Sequence, residues 1–213
     1  MSLLRRWNRL RSSEKLGLAL AAGGIGVSVA IFAVQELEGR CCERKRTVAG
    51  MRSTEGWVPY SRAGSSVGLR TSADGKGPFS LAYSVGHSGW VGITKAIPAG
   101  VLSGTERIEF DFKGTGAPNS VEFKLIYPAD GGAAPIFGSI WRHATDTEGD
   151  WRRVRVLRAD FSCWPRTGCR EGEPLDPGRV VKIDFAVSNK PEGGDVAGRG
   201  SIAFKDVVAV GEG

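Results

Sequence analysis

Few side chains in this sequence have the type and spacing to run a reaction. The two histidines are His87 and His143. In VGHSGW, His87 adjoins Ser88, a pairing that could activate a nucleophile. The run misses GxSxG by one residue, however, and neighbours on a strand point to opposite faces. Neither histidine stands in HExxH or another metal-ligand spacing. GTGAPN lacks the strand–loop–helix setting of a phosphate cradle. Glu109 and Asp111 can share one sheet face, but an outward pair of carboxylates is ordinarily just solvated. The expectation is a protein without catalytic activity.

Cysteine and arginine carry the remaining chemistry. Cys163 and Cys169 lie in SCWPRTGCREGEP, a loop where a disulfide would persist in an oxidising compartment. Two unpaired loop thiols are the alternative. Cys41 and Cys42 are adjacent and cannot pair with each other without strain, so they are intermolecular, lipidated or inert. Four arginines fall within Trp151–Arg158, WRRVRVLR. Period-two alternation puts Val154 and Val156 inward, with Arg153, Arg155 and Arg158 outward and Trp151 starting the strand in the core. Such arginines cover apolar sheet surface with their stems and discourage stray pairing at an edge. As a contact surface they would suit an acidic protein face or lipid headgroups.

Nucleic acid is excluded as a partner by where the charge sits. The formal charge is +6, yet the chain after residue 52 holds 19 basic and 19 acidic residues. Binding phosphate backbones needs a concentrated basic footprint. The excess instead flanks Leu16–Val34, 19 residues without a charge. As a helix this run spans about 28 Å, close to the hydrocarbon core of a bilayer. It is longer than a signal-peptide core, and its exit, AVQELEG, offers no small-x-small cleavage site. Residues 1–15 form a basic cytoplasmic tail, 16–35 a single transmembrane helix and 36–56 a juxtamembrane linker. Residues 57–213 form the domain, on the periplasmic or extracellular side. Small residues recur every fourth position, at Ala22, Gly26 and Ala30 and at Ala19 and Gly23, which lets a second helix pack closely. The helix has no ligand for a metal-centred pigment and no proton-relay group.

From Trp57 the apolar period is two. Ile108, Phe110 and Phe112 alternate with Glu109, Asp111 and Lys113. Val121, Phe123 and Leu125 alternate with Glu122 and Lys124, and Ile183, Phe185 and Val187 with Lys182 and Asp184. One face of each strand belongs in a core and the other in water. Turn clusters such as SADGKGP, PADGGAAP and NKPEGGDVAGRG separate nine or ten short strands, the pattern of an all-β sandwich. No helix and no internal repeat is expected after the anchor.

The order of elements ERIEFDFKGTG, VEFKLIYP, DWRRVRVLRADFSCW, LDPGRVVKIDFAVSN and GSIAFKDVVAVG resembles the galactose-binding-like jelly rolls of carbohydrate-binding module family eleven. It also resembles the domain of the respiratory complex I intermediate-associated assembly factor. The shared features are a tryptophan-led strand ending in Asp160–Phe161 and a glycine-led last strand carrying Asp206, over residues 65–211. The resemblance implies sugar binding by stacking aromatics, for which Tyr83, Trp90, Tyr127, Trp141 and Trp164 are the candidates. It also implies a structural calcium ion at Asp206. Two functions follow. The first is a non-catalytic accessory subunit of an integral membrane complex, respiratory or photosynthetic, with the sandwich docked outside. The second is a membrane-anchored carbohydrate-binding protein.

Overall fold

The computed structural model describes residues 43–212 apart from 63, 73 and 143. The anchor with its small-residue pattern, Cys41, Cys42 and His143 lie outside the described residues. Among those described, no helix is long and apolar enough to cross a membrane. The strands are β1 (Glu43–Ala49), β2 (Trp57–Arg62), β3 (Ser66–Arg70), β4 (Ser80–Val85), β5 (Trp90–Ala96), β6 (Thr105–Gly116) and β7 (Ser120–Ile126). They continue with β8 (Ile136–Trp141), β9 (Arg152–Leu157), β10 (Ser162–Cys163), β11 (Lys182–Ser188), β12 (Gly198–Phe204) and β13 (Val207–Glu212).

These form two sheets. The first runs β1-β13-β6-β12-β4-β3, with β9 also paired to β6. The second runs β10-β8-β7-β11-β5-β2. Long strand β6 organises the first sheet. It pairs with β13 over residues 105–109, with β12 over 112–116 and with β9 over 107–112. Because β9 overlaps both partners, it lies along the opposite side of β6, and it forms an edge of the sheet.

Period-two alternation builds the core between the sheets. Phe185 from the second sheet stacks on Phe204 from the first at 4.1 Å between ring centroids. Phe110 meets Phe185 edge-on at 5.0 Å and Phe123 at 5.2 Å. Such pairs add about 0.5–1.5 kcal/mol each to the burial of their area. They tie the two sheets together through one continuous aromatic contact.

The domain begins earlier than Trp57. Strand β1 falls inside the stretch expected to be linker, and Met51 is fully buried. ERKRTVA lacks apolar alternation, and its strand conformation comes from pairing with β13, almost the whole chain away. Met51 N donates to Asp206 Oδ1 at 2.9 Å and so joins the two ends of the domain. His87 and Ser88 form a turn rather than a strand, with Ser88 at φ 53°.

Truncating Phe185 to alanine should cost about 3–5 kcal/mol, since it empties the middle of the aromatic cluster. Chemical denaturation of the wild-type and Phe185→Ala chains measures this. A loss under about 1 kcal/mol would mean that the cluster does not hold the sheets together.

Candidate functional site

The outward face of the second sheet holds side chains that an open sheet surface would not be expected to bury. Register places Lys124 of β7 beside Asp184 of β11, and Glu122 beside Ala186. All three charged residues point away from the core, yet Glu122, Lys124 and Asp184 are only 3%, 8% and 3% exposed. Alternation identified them as water-facing. It could not show that rings and a loop lie over them.

Two glycines make room for those rings. A side chain on Gly92 would collide with the ring of Tyr60, and one on Gly138 with the indole of Trp164. Both rings therefore lie against bare backbone on this face. Between them runs a continuous polar network. Tyr60 Oη donates to Asp184 Oδ1 at 2.8 Å. Lys124 Nζ sits 2.6 Å from Glu122 Oε2 and 3.6 Å from Asp184 Oδ1. Lys190 Nζ reaches Glu122 Oε1 at 3.1 Å, and Ser188 Oγ donates to the same oxygen at 2.7 Å. Lys124 and Lys190 also face the Trp164 ring, at 4.8 and 5.0 Å from its centroid, where its electron-rich face attracts a cation.

Trp164 is fixed from below. Its backbone N–H donates to Ile136 O at 2.7 Å, and its backbone carbonyl accepts from Thr167 Oγ1 at 2.8 Å. Cys163 and Cys169 are joined, with Cα atoms 5.7 Å apart, and the bond closes the loop that carries the indole. Further along the face, Trp90 lies beside Ser188 in the ladder, with the Arg62 guanidinium 5.6 Å from its ring.

Electrostatics split the two carboxyls. Burial works against ionisation of Glu122, but the nearby charges of Lys124 and Lys190, with the Lys124 and Ser188 hydrogen bonds, outweigh it and hold its pKa down. Asp184 is pushed up by burial to about 6, because Lys124 and the Tyr60 hydroxyl offset only part of that cost. Tyr60 is raised in turn by burial and by the neighbouring Asp184.

The sequence candidates divide. Tyr83 and Tyr127 are buried in the core, so neither offers a face to a ligand. Tyr83 alternates with Leu81 and Val85 along β4, which places it inward. Trp141 packs edge-on against Phe110 at 5.8 Å, at the margin of the core. Only Trp90 and Trp164 reach the outward face of the second sheet. Arg153 and Arg155 belong to the other sheet, and Arg158 Nε donates to Leu175 O at 2.9 Å. Trp151 does not start its strand in the core. It is half-buried on the outer side, beneath Lys113 and Lys205 at 5.1 and 4.5 Å. Among the described residues no three His, Cys, Asp or Glu side chains gather to hold a metal, around Asp206 or elsewhere.

No family model matches this sequence. No curated protein matches it either. Solved structures do match. The family 11 carbohydrate-binding module of a cellulosomal cellulase from Clostridium thermocellum aligns over 79% of this chain and 95% of that one, with a TM-score of 0.63 at 18% identity. The fold is that of these modules. A family 11 module from Clostridium thermocellum in complex with a β-1,3-1,4-mixed-linked tetrasaccharide aligns over 79% of this chain and 96% of that one, with a TM-score of 0.58 at 18% identity. At such identities the likeness establishes the β-sandwich jelly roll and nothing of the ligand.

Because the Asp184 pKa is raised, the proton binds the folded chain more tightly than the unfolded one. The stability this adds is fully present below the ordinary 3.8 and is lost as pH rises through about 6. Relative to Asp184→Asn, the wild-type chain should lose about 1–3 kcal/mol between pH 4 and pH 7. Denaturation of both chains across that range checks it. A difference independent of pH would contradict the buried, proton-holding Asp184.

Proposed function

We propose that the chain is a non-catalytic carbohydrate-binding protein that holds a glycan on the outward face of its second sheet. The observation that carries this reading is the pair of aromatic rings, Tyr60 on Gly92 and Trp164 on Gly138, fixed on one sheet face by a buried polar network. A flat ring with an electron-rich face suits the C–H-lined face of a pyranose, while Lys190 and Arg62 supply donors at the margin for hydroxyls. The network keeps the rings in place before any ligand arrives, which lowers the entropy lost on binding.

The two carboxyls fit this role better than catalysis. Both are nearly sealed from water and bonded within the protein, so neither is placed to reach a scissile bond. The fold shared with carbohydrate-binding modules favours glycan binding over the accessory-subunit reading. Leu16–Val34 would tether the domain to the membrane. The Cys163–Cys169 bond is in keeping with an oxidising, extracytoplasmic location.

Full-length protein in detergent should be retarded in gels containing a soluble β-glucan, with mixed-linked β-1,3-1,4-glucan as the first probe. Trp164→Ala should weaken binding at least about tenfold, the equivalent of losing one good contact. Trp151→Ala, on the other sheet, should leave it unchanged. Equal retardation of both variants would overturn the assignment of the face. No retardation across a panel of β-glucans, mannans and galactans would overturn the function.

A further inference from the structure

The outward face of the first sheet has a different character, and glycan binding makes no use of it. Register places Arg107, Glu109 and Asp111 of β6 opposite Leu157, Arg155 and Arg153 of β9. Lys205 reaches the same row from the link between β12 and β13, and Lys113 continues it along β6. The two carboxylates lie low. Arg153 Nε donates to Asp111 Oδ1 at 2.8 Å, and Lys205 Nζ to Oδ2 at 3.0 Å. Glu109 is 2.8 Å from Arg107 Nε and 3.5 Å from Arg155 Nε. Both acids are buried, while the Arg153 and Arg155 side chains stand 60% and 64% exposed above them. Arg153 holds the Asp111 pKa down through its hydrogen bond, so Asp111 stays charged and anchors Arg153 and Lys205. Five cations over two covered carboxylates give this face a positive surface.

An apolar side chain sits at the end of this row. Leu157 is 53% exposed, one of three large hydrophobic residues so exposed among those described. Arg107 faces it across the ladder, and Arg155 and Arg158 flank it along the chain. Asp160 accepts from Leu157 N at 2.9 Å, and Glu106, Glu171 and Glu173 line the cleft beside it, so the cationic side of Leu157 is the one toward Arg107 and Arg155. That side meets the chemistry of an anionic bilayer surface, with guanidinium groups on headgroup phosphates and the apolar tip at the acyl boundary.

The tether leads to the same sheet. Strand β1 is its edge strand beside β13. Eight residues separate Val34, where the apolar run ends, from Glu43 at the start of β1. Eight residues cover at most about 28 Å, so a membrane span at Leu16–Val34 would keep the domain near the bilayer. Attraction between cations and headgroups fades within about 8 Å at physiological salt, so a short tether is what makes a modest patch effective.

We propose that this basic face, centred on Arg153, Arg155 and Leu157, lies on the anionic headgroups of the membrane, so that the Tyr60–Trp164 face is turned away from it. The proposal rests on reading Leu16–Val34 as a membrane span.

Hydroxyl-radical footprinting of the full-length protein in vesicles tests it without any label. Leu157 and Val58, the latter 59% exposed on the second sheet, report on opposite faces. In vesicles containing phosphatidylglycerol, Leu157 should oxidise several-fold more slowly than in pure phosphatidylcholine, with Val58 unaffected. High salt, or the Arg153→Gln/Arg155→Gln variant, should restore Leu157 oxidation. Equal Leu157 oxidation in both lipids overturns the docking, and protection of Val58 instead overturns the orientation. An alkaline carbonate wash beforehand separates the two premises. A chain stripped from the vesicles overturns the membrane span, whereas a retained chain without Leu157 protection overturns the docking alone.

Discussion

Lys124 is charged and has almost no water around it, and much of the second sheet's outward face is arranged around that fact. A buried ammonium group is tolerated only when oxygens surround it. Glu122 provides the nearest, Asp184 the next, and the Trp164 ring supplies its electron-rich face. Each partner then needs partners of its own, which brings in Ser188, Lys190 and the Tyr60 hydroxyl. The result is a set of side chains with little freedom to rearrange. The two rings at its ends are held in place by the same contacts, and the bare backbone of Gly92 and Gly138 lets them lie low on the sheet.

The two faces of the sandwich solve the same problem in opposite ways. On the second sheet the charges are covered and the rings lie above them. On the first sheet the carboxylates are covered and the guanidinium groups lie above. Between them the phenylalanine cluster joins the sheets, so each face is carried on a stiff slab. A ligand on one face and a charged surface on the other would not compete for the same residues.

The central strands of the core are plain in the sequence, because Ile108, Phe110 and Phe112, Val121, Phe123 and Leu125, and Ile183, Phe185 and Val187 recur at every second position. It also placed Arg153 and Arg155 outward, and β9 does lie at a sheet edge. It did not declare β1, whose charged residues form a strand only because β13 lies beside them. It did not declare the polar network either. Alternation says which face a residue points to, but not whether something from elsewhere in the chain covers it, and Lys190 and Trp164 arrive from distant loops. Tyr83 could have been excluded as a sugar-stacking residue, since its neighbours at two-residue spacing are Leu81 and Val85. Tyr60 carries no such signal, because Pro59 interrupts the alternation of its strand. Trp151 shares the parity of Arg153 and Arg155, which is why it sits outside with them.

The most direct test of the central claim is to watch the indole N–H signals of the full-length protein in detergent micelles by NMR while β-glucan is added. The chain has six tryptophans, so the readout is small and assignable by substitution. If the Tyr60–Trp164 face holds the glycan, the Trp164 signal moves, Trp90 beside it follows, and Trp151 on the opposite sheet stays still. Movement of Trp151 with Trp164 unchanged would place the ligand on the wrong face and contradict the account.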